Sequence, residues 1–355
     1  MPADPSPRRR PPRLRDVADL AGVSVKTVSN VVNDFPHVSP SMRAKVQAAI
    51  EELGYRPQIA GKQLRSGTSD ILTLAVPSLT FAYFSDLAQT FVDEARARRR
   101  TILLHSLSQG LEQELELIEG HRQTLGDGII FNPLLLPEER LAALASLPQP
   151  MVLIGEHVDP EALPHGVDYA RVDNVAAMAE ATAHLLAAQP RQIAFLGVLP
   201  AGDLVPAHST AALRIAGFRE AVARAGLDPA DALEQTAPDW HRHDGRVSTH
   251  ALLDAHPEVS AIAAANDELA LGALTALRER GLRVPEDVAV TGYDDIPETP
   301  FASPALTTIS PDTRQLARVA LDMLLERIAG LEGPGRTATV PHTLVVRESA
   351  PATAR

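Results

Sequence analysis

From Ile71 onward, short apolar runs alternate with longer amphipathic stretches, and this alternation constrains the fold more than any other feature. The runs are "ILTLAV" (71–76), "TILLHS" (101–106), "GIIF" (128–131), "MVLI" (151–154), "QIAFLG" (192–197), "SAIAAA" (260–265) and "DVAVTGY" (287–293). Between them, helical patterning covers 84–99, 111–123, 174–188, 209–225, 242–255 and 267–280. Runs that are apolar almost throughout read as strands buried on both faces. Strand–helix alternation predicts parallel sheets with helices on both sides. So many strands, in a chain of 355 residues, predict two such sheets rather than one core. No repeat of fixed short period is present.

The first 66 residues follow a different pattern. Helical patterning covers 14–21, 25–32 and 40–53, with Gly22 at a sharp turn, Ser24 placed to cap the second helix, and Ser39–Pro40 opening the third. Leu14, Val17, Ala18 and Ala21 share one face of the first helix; Val28, Val31 and Val32 face the same core from the second. Val25, Lys26, Ser29 and Asn30 fall on the opposite face. Such a face suits a helix lying in a DNA major groove. Lys26 can donate to guanine and Asn30 can pair with adenine, while Thr27, Ser29 and Asn33 are suited to phosphate contacts. An ordinary solvated helix pair gives the same pattern, so both readings stand at this point.

Charge separates along the same boundary. Residues 1–66 carry 11 Lys and Arg against 6 Asp and Glu, a net +5, and all three lysines (Lys26, Lys45, Lys62) lie there. The remainder carries 22 against 39, a net −17. A basic head on an acidic body fits a head that meets a polyanion. The basic start "PRRRPPR" is not followed by an apolar segment of the signal-peptide kind, and no apolar run reaches the ~18 residues that span a bilayer, so a cytoplasmic protein without membrane association is expected. The absence of cysteine excludes disulfides, thiolate metal sites and a cysteine nucleophile.

"LRDVADLAGVSVKTVSNVVN" (14–33), "VSPSMRAKVQAAIEELGYRPQIAGKQLRSG" (38–67) and "ANDELALGALTALRERGLRVPEDVAVTGYDDIP" (265–297) closely resemble the lactose-repressor (LacI) family of bacterial transcription regulators, over nearly the whole chain from Leu14 to about Ser349. The resemblance implies an all-α helix–turn–helix head and an α/β body like a periplasmic binding protein, with two doubly wound parallel-sheet subdomains around a cleft. It implies residues 1–12 as a basic tail, 13–57 as the DNA-binding domain, 58–68 as hinge helix and linker, 69–349 as the effector-binding and dimerisation domain, and 350–355 as a tail. Within the body, the N-subdomain takes about 69–170 and 310–340, and the C-subdomain about 171–309 plus the C-terminal strand.

The family reads pseudo-palindromic double-stranded DNA operators as a homodimer. Val25, Lys26 and Asn30 occupy the base-reading positions. Segment 58–65, with Gly61 and Lys62, matches the hinge, and Leu64 stands where the family's leucine wedges into the minor groove. Gly61 departs from the family's usual alanine and disfavours helix, so this hinge is expected to depend more on DNA for its order.

For the small-molecule effector, the resemblance points to Arg214, Asn266, Asp294 and Trp240, and more loosely to His208, Thr210 and Tyr83. Asp267 is expected to cap the helix that follows, and Asp295 to be structural. A sugar is the expected effector. A purine or nucleoside is the alternative, because "AYF" (82–84) is similar to purine-responsive members and Gly155 replaces an acidic residue common in sugar binders.

Rival readings are weaker. "HRHD" (241–244) offers His241, His243 and Asp244 to a metal, but reads as a loop entering a helix. No dinucleotide-binding, Walker or nucleophile-elbow motif is present. Neither an enzyme, a cofactor nor a metal is therefore expected, and the basic head argues against a transport-associated solute-binding protein.

Overall fold

The computed structural model describes residues 10, 12–32, 35–56, 68–107, 110–119, 126–137, 140–145, 148–200, 208–228 and 232–352. The expectations for Asn33, Gly61, Lys62, Leu64 and the hinge helix lie outside the described residues. The chain divides into two compact units between Ser69 and Asp70.

The first unit has three helices, α1 (Leu14–Ala21), α2 (Val25–Val32) and α3 (Pro40–Leu53). Local chemistry sets each boundary. The Arg13 N–H donates to Asp16 at 2.7 Å ahead of α1, and Gly22 ends it at φ +63°, a conformation that suits glycine. Ser24 Oγ accepts the Thr27 N–H at 3.1 Å before α2. Ser39 Oγ accepts the Met42 N–H at 3.3 Å, with Pro40 in the first turn of α3. Val17, Ala18, Val28, Val31, Val46, Ala49 and Tyr55 form one small buried core. A fully buried valine contributes roughly 1.5–3 kcal/mol, so four of them matter in so small a unit.

The second unit holds two six-stranded sheets. Its elements are β1 (Ile71–Val76), α4 (Ala82–Ala97), β2 (Thr101–Ser106), α5 (Leu111–Ile118), β3 (Gly128–Phe131), α6 (Leu141–Leu144), β4 (Met151–Ile154), β5 (Val167–Val172), α7 (Asn174–Leu186), β6 (Ile193–Val198), α8 (Thr210–Arg224), β7 (Leu233–Thr236), α9 (Arg242–Ala255), β8 (Ala261–Ala264), α10 (Asp267–Glu279), β9 (Ala289–Tyr293), β10 (Thr307–Pro311), α11 (Thr313–Ile328), β11 (Thr337–Val340) and β12 (His342–Val345).

One sheet runs β2-β1-β3-β4-β5-β11 and the other β7-β6-β8-β9-β10-β12. All neighbours are parallel except β12, which pairs antiparallel with β10. The two sheets repeat one doubly wound order, and such an order opens a crevice at the carboxyl ends of its strands, where ligands bind. In the first sheet the almost wholly apolar β1, β3 and β4 are covered on one face by α4 and α11 and on the other by α5 and α6. In the second, α7 packs on α8 and α9 on α10 around β6, β8 and β9.

Helices α9 and α10 approach closely because both carry glycine at the contact. A Cβ on Gly245 would lie 2.3 Å from the Leu269 carbonyl oxygen, and one on Gly272 2.2 Å from that of Arg242. The chain crosses between the sheets three times: from β5 into α7, from β10 into α11, and from β11 into β12 through Pro341. Asp173 and Asp312 cap the helices that follow the first two crossings.

Two sequence expectations change. Asn266, not Asp267, caps α10: Asn266 is extended, and its Oδ1 accepts the Leu269 N–H at 2.9 Å. Asp267 lies one residue into the helix. It is fully buried and accepts from the Thr308 hydroxyl at 2.6 Å and the Ile296 N–H at 2.9 Å. Helix α4 starts at Ala82 rather than 84, which puts "AYF" in its first turn.

Candidate DNA-reading face and ligand cavity

In the first unit, burying Val28 and Val31 turns the other face of α2 outward. Val25 and Lys26 are exposed, and Thr27, Ser29 and Asn30 are half-buried. Thr27 also shares a 2.9 Å hydrogen bond with the Ser24 hydroxyl. This outward strip has one cation, Lys26, two hydrogen-bonding side chains, Ser29 and Asn30, and a small apolar residue, Val25. That composition fits a groove in which each side chain meets either an edge or a thymine methyl.

In the second unit, a cavity of about 330 Å³ opens between the two sheets, within the usual size range of small-molecule sites. Its wall is built from residues in the segments and helices that follow the strands. Phe81, Tyr83 and Phe84 follow β1, Asn132 follows β3, Glu156 and His157 follow β4, Ser209, Thr210 and Arg214 follow β6, Asp239 and Trp240 follow β7, Asn266 follows β8, and Asp294 follows β9.

Arg214 organises the floor. Its Nε donates to Asn174 Oδ1 at 2.7 Å, one terminal nitrogen to the Ala265 carbonyl at 2.6 Å, and the other to Asp294 Oδ1 at 3.2 Å. The guanidinium also lies 3.5 Å from the Tyr293 ring centroid, a favourable cation–π position. Asp294 has φ +114° and Trp240 φ +56°, conformations that side chains other than glycine adopt at a cost and that cluster at functional sites. The Trp240 indole donates to the Gly197 carbonyl at 2.9 Å, and the Asn266 amide donates to the Trp240 carbonyl at 3.2 Å. These bonds, with that from the Leu269 N–H to Asn266 Oδ1, fix the orientation of both side chains.

Burial sets the titration of the wall. It pushes Asp294 up to about 6, with Arg214 opposing the shift. Burial likewise raises Glu156, against the charges of Arg214 and Arg171. His157 is pushed down to about 3 by burial and by Arg214, so it is a neutral imidazole at physiological pH. Its Nδ1 is buried without a hydrogen-bond partner.

Of the positions expected from the sequence, Arg214, Asn266, Asp294, Trp240, Thr210 and Tyr83 meet in this cavity. His208 does not line it; its Nε2 faces Asp159 Oδ2 at 3.6 Å. Asp295 pairs with Arg347 at 2.7 Å and accepts from Thr299. His241, Asp244 and Arg242 open α9, where the His241 N–H donates to Asp244, and no metal-binding group of three or more such side chains occurs among the described residues. Sequence reasoning did not single out Asn132, His157, Ser209, Asp239 or Asn174 as site residues. Their only shared signal is position, one to three residues past a strand or at the start of a helix.

Comparison with known proteins decides the family. The model described as "Bacterial regulatory proteins, lacI family" matches residues 13–58, and that of a periplasmic binding protein-like domain matches residues 182–350. The ribose operon repressor of Halalkalibacterium halodurans is 31% identical over 340 residues, covering 95% of this chain and 96% of its own. The chain belongs to the LacI family. It is therefore a member of a family of DNA-binding transcriptional regulators, not of enzymes.

Among solved structures, the Lac repressor dimer bound to operator and the anti-inducer ONPF superposes with a TM-score of 0.81 at 30% identity, covering 97% of this chain and all of that one. The complex of the transcriptional regulator CelR with cellobiose gives 0.66 at 30% identity, covering 95% and 99%. No helix among the described residues of this LacI-family chain is long and apolar enough to cross a membrane.

Proposed function

We propose that this protein is a repressor that binds a pseudo-palindromic operator as a homodimer, and that a small molecule, a sugar, switches its affinity from the cleft. The carrying observation is that one chain joins a helix pair with an outward polar strip to a preformed cavity walled by aromatic, hydroxyl and carboxylate side chains. Val25, Lys26 and Asn30 read bases. Thr27, Ser29 and Asn33 hold phosphates, and segment 58–68, with Gly61, Lys62 and Leu64, acts as hinge and minor-groove wedge. Arg214, Asn266, Asp294, Trp240, Thr210 and Tyr83 bind the effector, which alters the angle between the subdomains and so the order of the hinge.

The CelR–cellobiose complex supports a sugar. Phe81, Tyr83 and Phe84 on one wall keep a stacked purine or nucleoside as the second reading. Edge strand β2 supports the dimer, since Leu103 and Leu104 are exposed on it and an uncovered apolar edge invites pairing.

The test selects fragments of genomic DNA on the purified protein, footprints the bound site, and then adds mono- and disaccharides, purines and nucleosides. The expected result is a two-fold symmetric footprint released or strengthened by one compound. A protein that loses residues 1–66 and still holds the operator would refute the assignment.

A further inference from the structure

The charged groups of the cavity do not balance. Among the described residues that line it, Glu156, Asp239 and Asp294 are carboxylates and Arg214 is the one cation, since His157 is held neutral; Arg171 acts on Glu156 from outside the lining. Arg214 already serves three acceptors, Asn174, the Ala265 carbonyl and Asp294, and one of its faces is occupied by the Tyr293 ring. Three of its five N–H donors are thus engaged within the protein, and its charge is shared with Asp294.

Glu156 receives one backbone hydrogen bond, from Val172 N–H at 3.1 Å. Burial raises the pKa of Asp294 against the charge of Arg214, and that of Glu156 against the charges of Arg214 and Arg171. Burial, the main cause of both shifts, also makes each carboxylate gain from a positive partner brought into the cavity. The same cavity is lined by the rings of Phe81, Tyr83, Phe84 and Trp240, the first three following β1 and the last following β7. Aromatic faces set around carboxylates attract a desolvated cation through both ring quadrupoles and ion pairing.

We propose that the cleft is a cation-accepting site: its effector carries a protonated amine, of the amino-sugar class, and phosphorylated or carboxylated ligands are excluded. This rests on the reading of the cleft as the effector site and narrows the class of compound it takes. The ammonium group lies between Glu156 and the aromatic wall, and the hydroxylated ring faces Arg214, Asn266 and Asp294.

Trp240 is the only tryptophan of the chain and lies on the cavity wall, so the site can be tested without knowing the effector. Its fluorescence is quenched with caesium chloride and with potassium iodide at constant ionic strength, each normalised to N-acetyltryptophanamide. The expected result is a caesium-to-iodide ratio at least threefold above that of the free amide, falling toward it in Glu156→Gln. A ratio at or below that of the free amide overturns the proposal.

A second measurement compares D-glucosamine, N-acetyl-D-glucosamine, D-glucose and D-glucosamine 6-phosphate by calorimetry on the full chain. An amine bound at least tenfold tighter than its acetylated counterpart supports the inference. A phosphorylated sugar that binds and perturbs Trp240 overturns it, yet leaves the effector reading standing. Sugars that bind without any effect on Trp240 count against that reading as well.

Discussion

Glu156 and Arg214 hold the same crossing of the chain from opposite sides. Glu156, beyond the end of β4, accepts the Val172 N–H at 3.1 Å, and Arg214, in α8, donates to Asn174 at 2.7 Å. Val172 ends the last strand before the crossing and Asn174 begins the first helix after it. A ligand that engages either side chain therefore acts directly on a joint between the two sheets.

Arg214→Ala is expected to destabilise the body by about 3–5 kcal/mol, the usual cost of leaving a buried partner uncompensated. Asp294 and the Ala265 carbonyl would both lose their donor. Arg214→Lys keeps the charge but not the fork and should recover only part of the loss. Urea unfolding followed at Trp240 measures both variants; an unchanged midpoint in Arg214→Ala would contradict the three-way tie.

The pH dependence follows from Asp294. Its folded value, about 6, lies above its unfolded value of about 4, so the folded protein holds more protons between the two. This contribution is fully present below about pH 4 and is lost as pH rises through 6. It amounts to up to about 3 kcal/mol at 1.36 kcal/mol per pH unit. Asp294→Asn should flatten the decline in melting temperature between pH 4.5 and 7. Parallel curves for the two proteins would rule the assignment out.

In the head, reading and folding should separate by residue. Asn30→Ala is expected to cost about 1–3 kcal/mol of discrimination between operator and mutated operator and to leave thermal stability within about 0.5 kcal/mol. Val28→Ala, at a fully buried position, should instead cost roughly 2 kcal/mol of head stability. Anisotropy titrations beside circular-dichroism melts compare the two. An Asn30→Ala head that melts early would place that side chain in the fold instead.

Gly245→Ala forces a methyl to within 2.3 Å of the Leu269 carbonyl oxygen, and backbone cannot yield as a side-chain tip can. Overpacking of this kind costs roughly 1–3 kcal/mol. Because α9 begins just after Trp240, its displacement should also shift the Trp240 emission maximum. A variant with wild-type emission and stability would show that the two helices have slack between them.

Much of this was legible in the sequence because local and distant signals agree there. Strands β3 and β4 are apolar throughout and β1 is so but for Thr73, and the head helices carry their own caps. Strands β5, β7, β10 and β11 were not singled out, and β12 was expected only from the family resemblance, as its C-terminal strand. "LEQT" at 233–236 is a half-exposed edge strand, and Thr307 and Thr308 are buried only because Ser349, Arg347 and Asp267 arrive from far along the chain to satisfy them. The exchange of roles between Asn266 and Asp267 has the same origin. Both residues can cap a helix, and the distant Thr308 and Ile296 decide which one does not. His208 was misleading for the converse reason: its neighbour Asp159 comes from the other sheet's subdomain, and nothing near it in sequence announces that.

The grip of Glu156 and Arg214 on one crossing carries a consequence for how such a protein diversifies. The side chains that decide which molecule is tasted also set the stiffness of the joint that reports it. A substitution that retunes preference therefore alters the steepness of the response in the same step, and restoring that steepness calls for compensating changes elsewhere, at the crossings through Asp312 and Pro341.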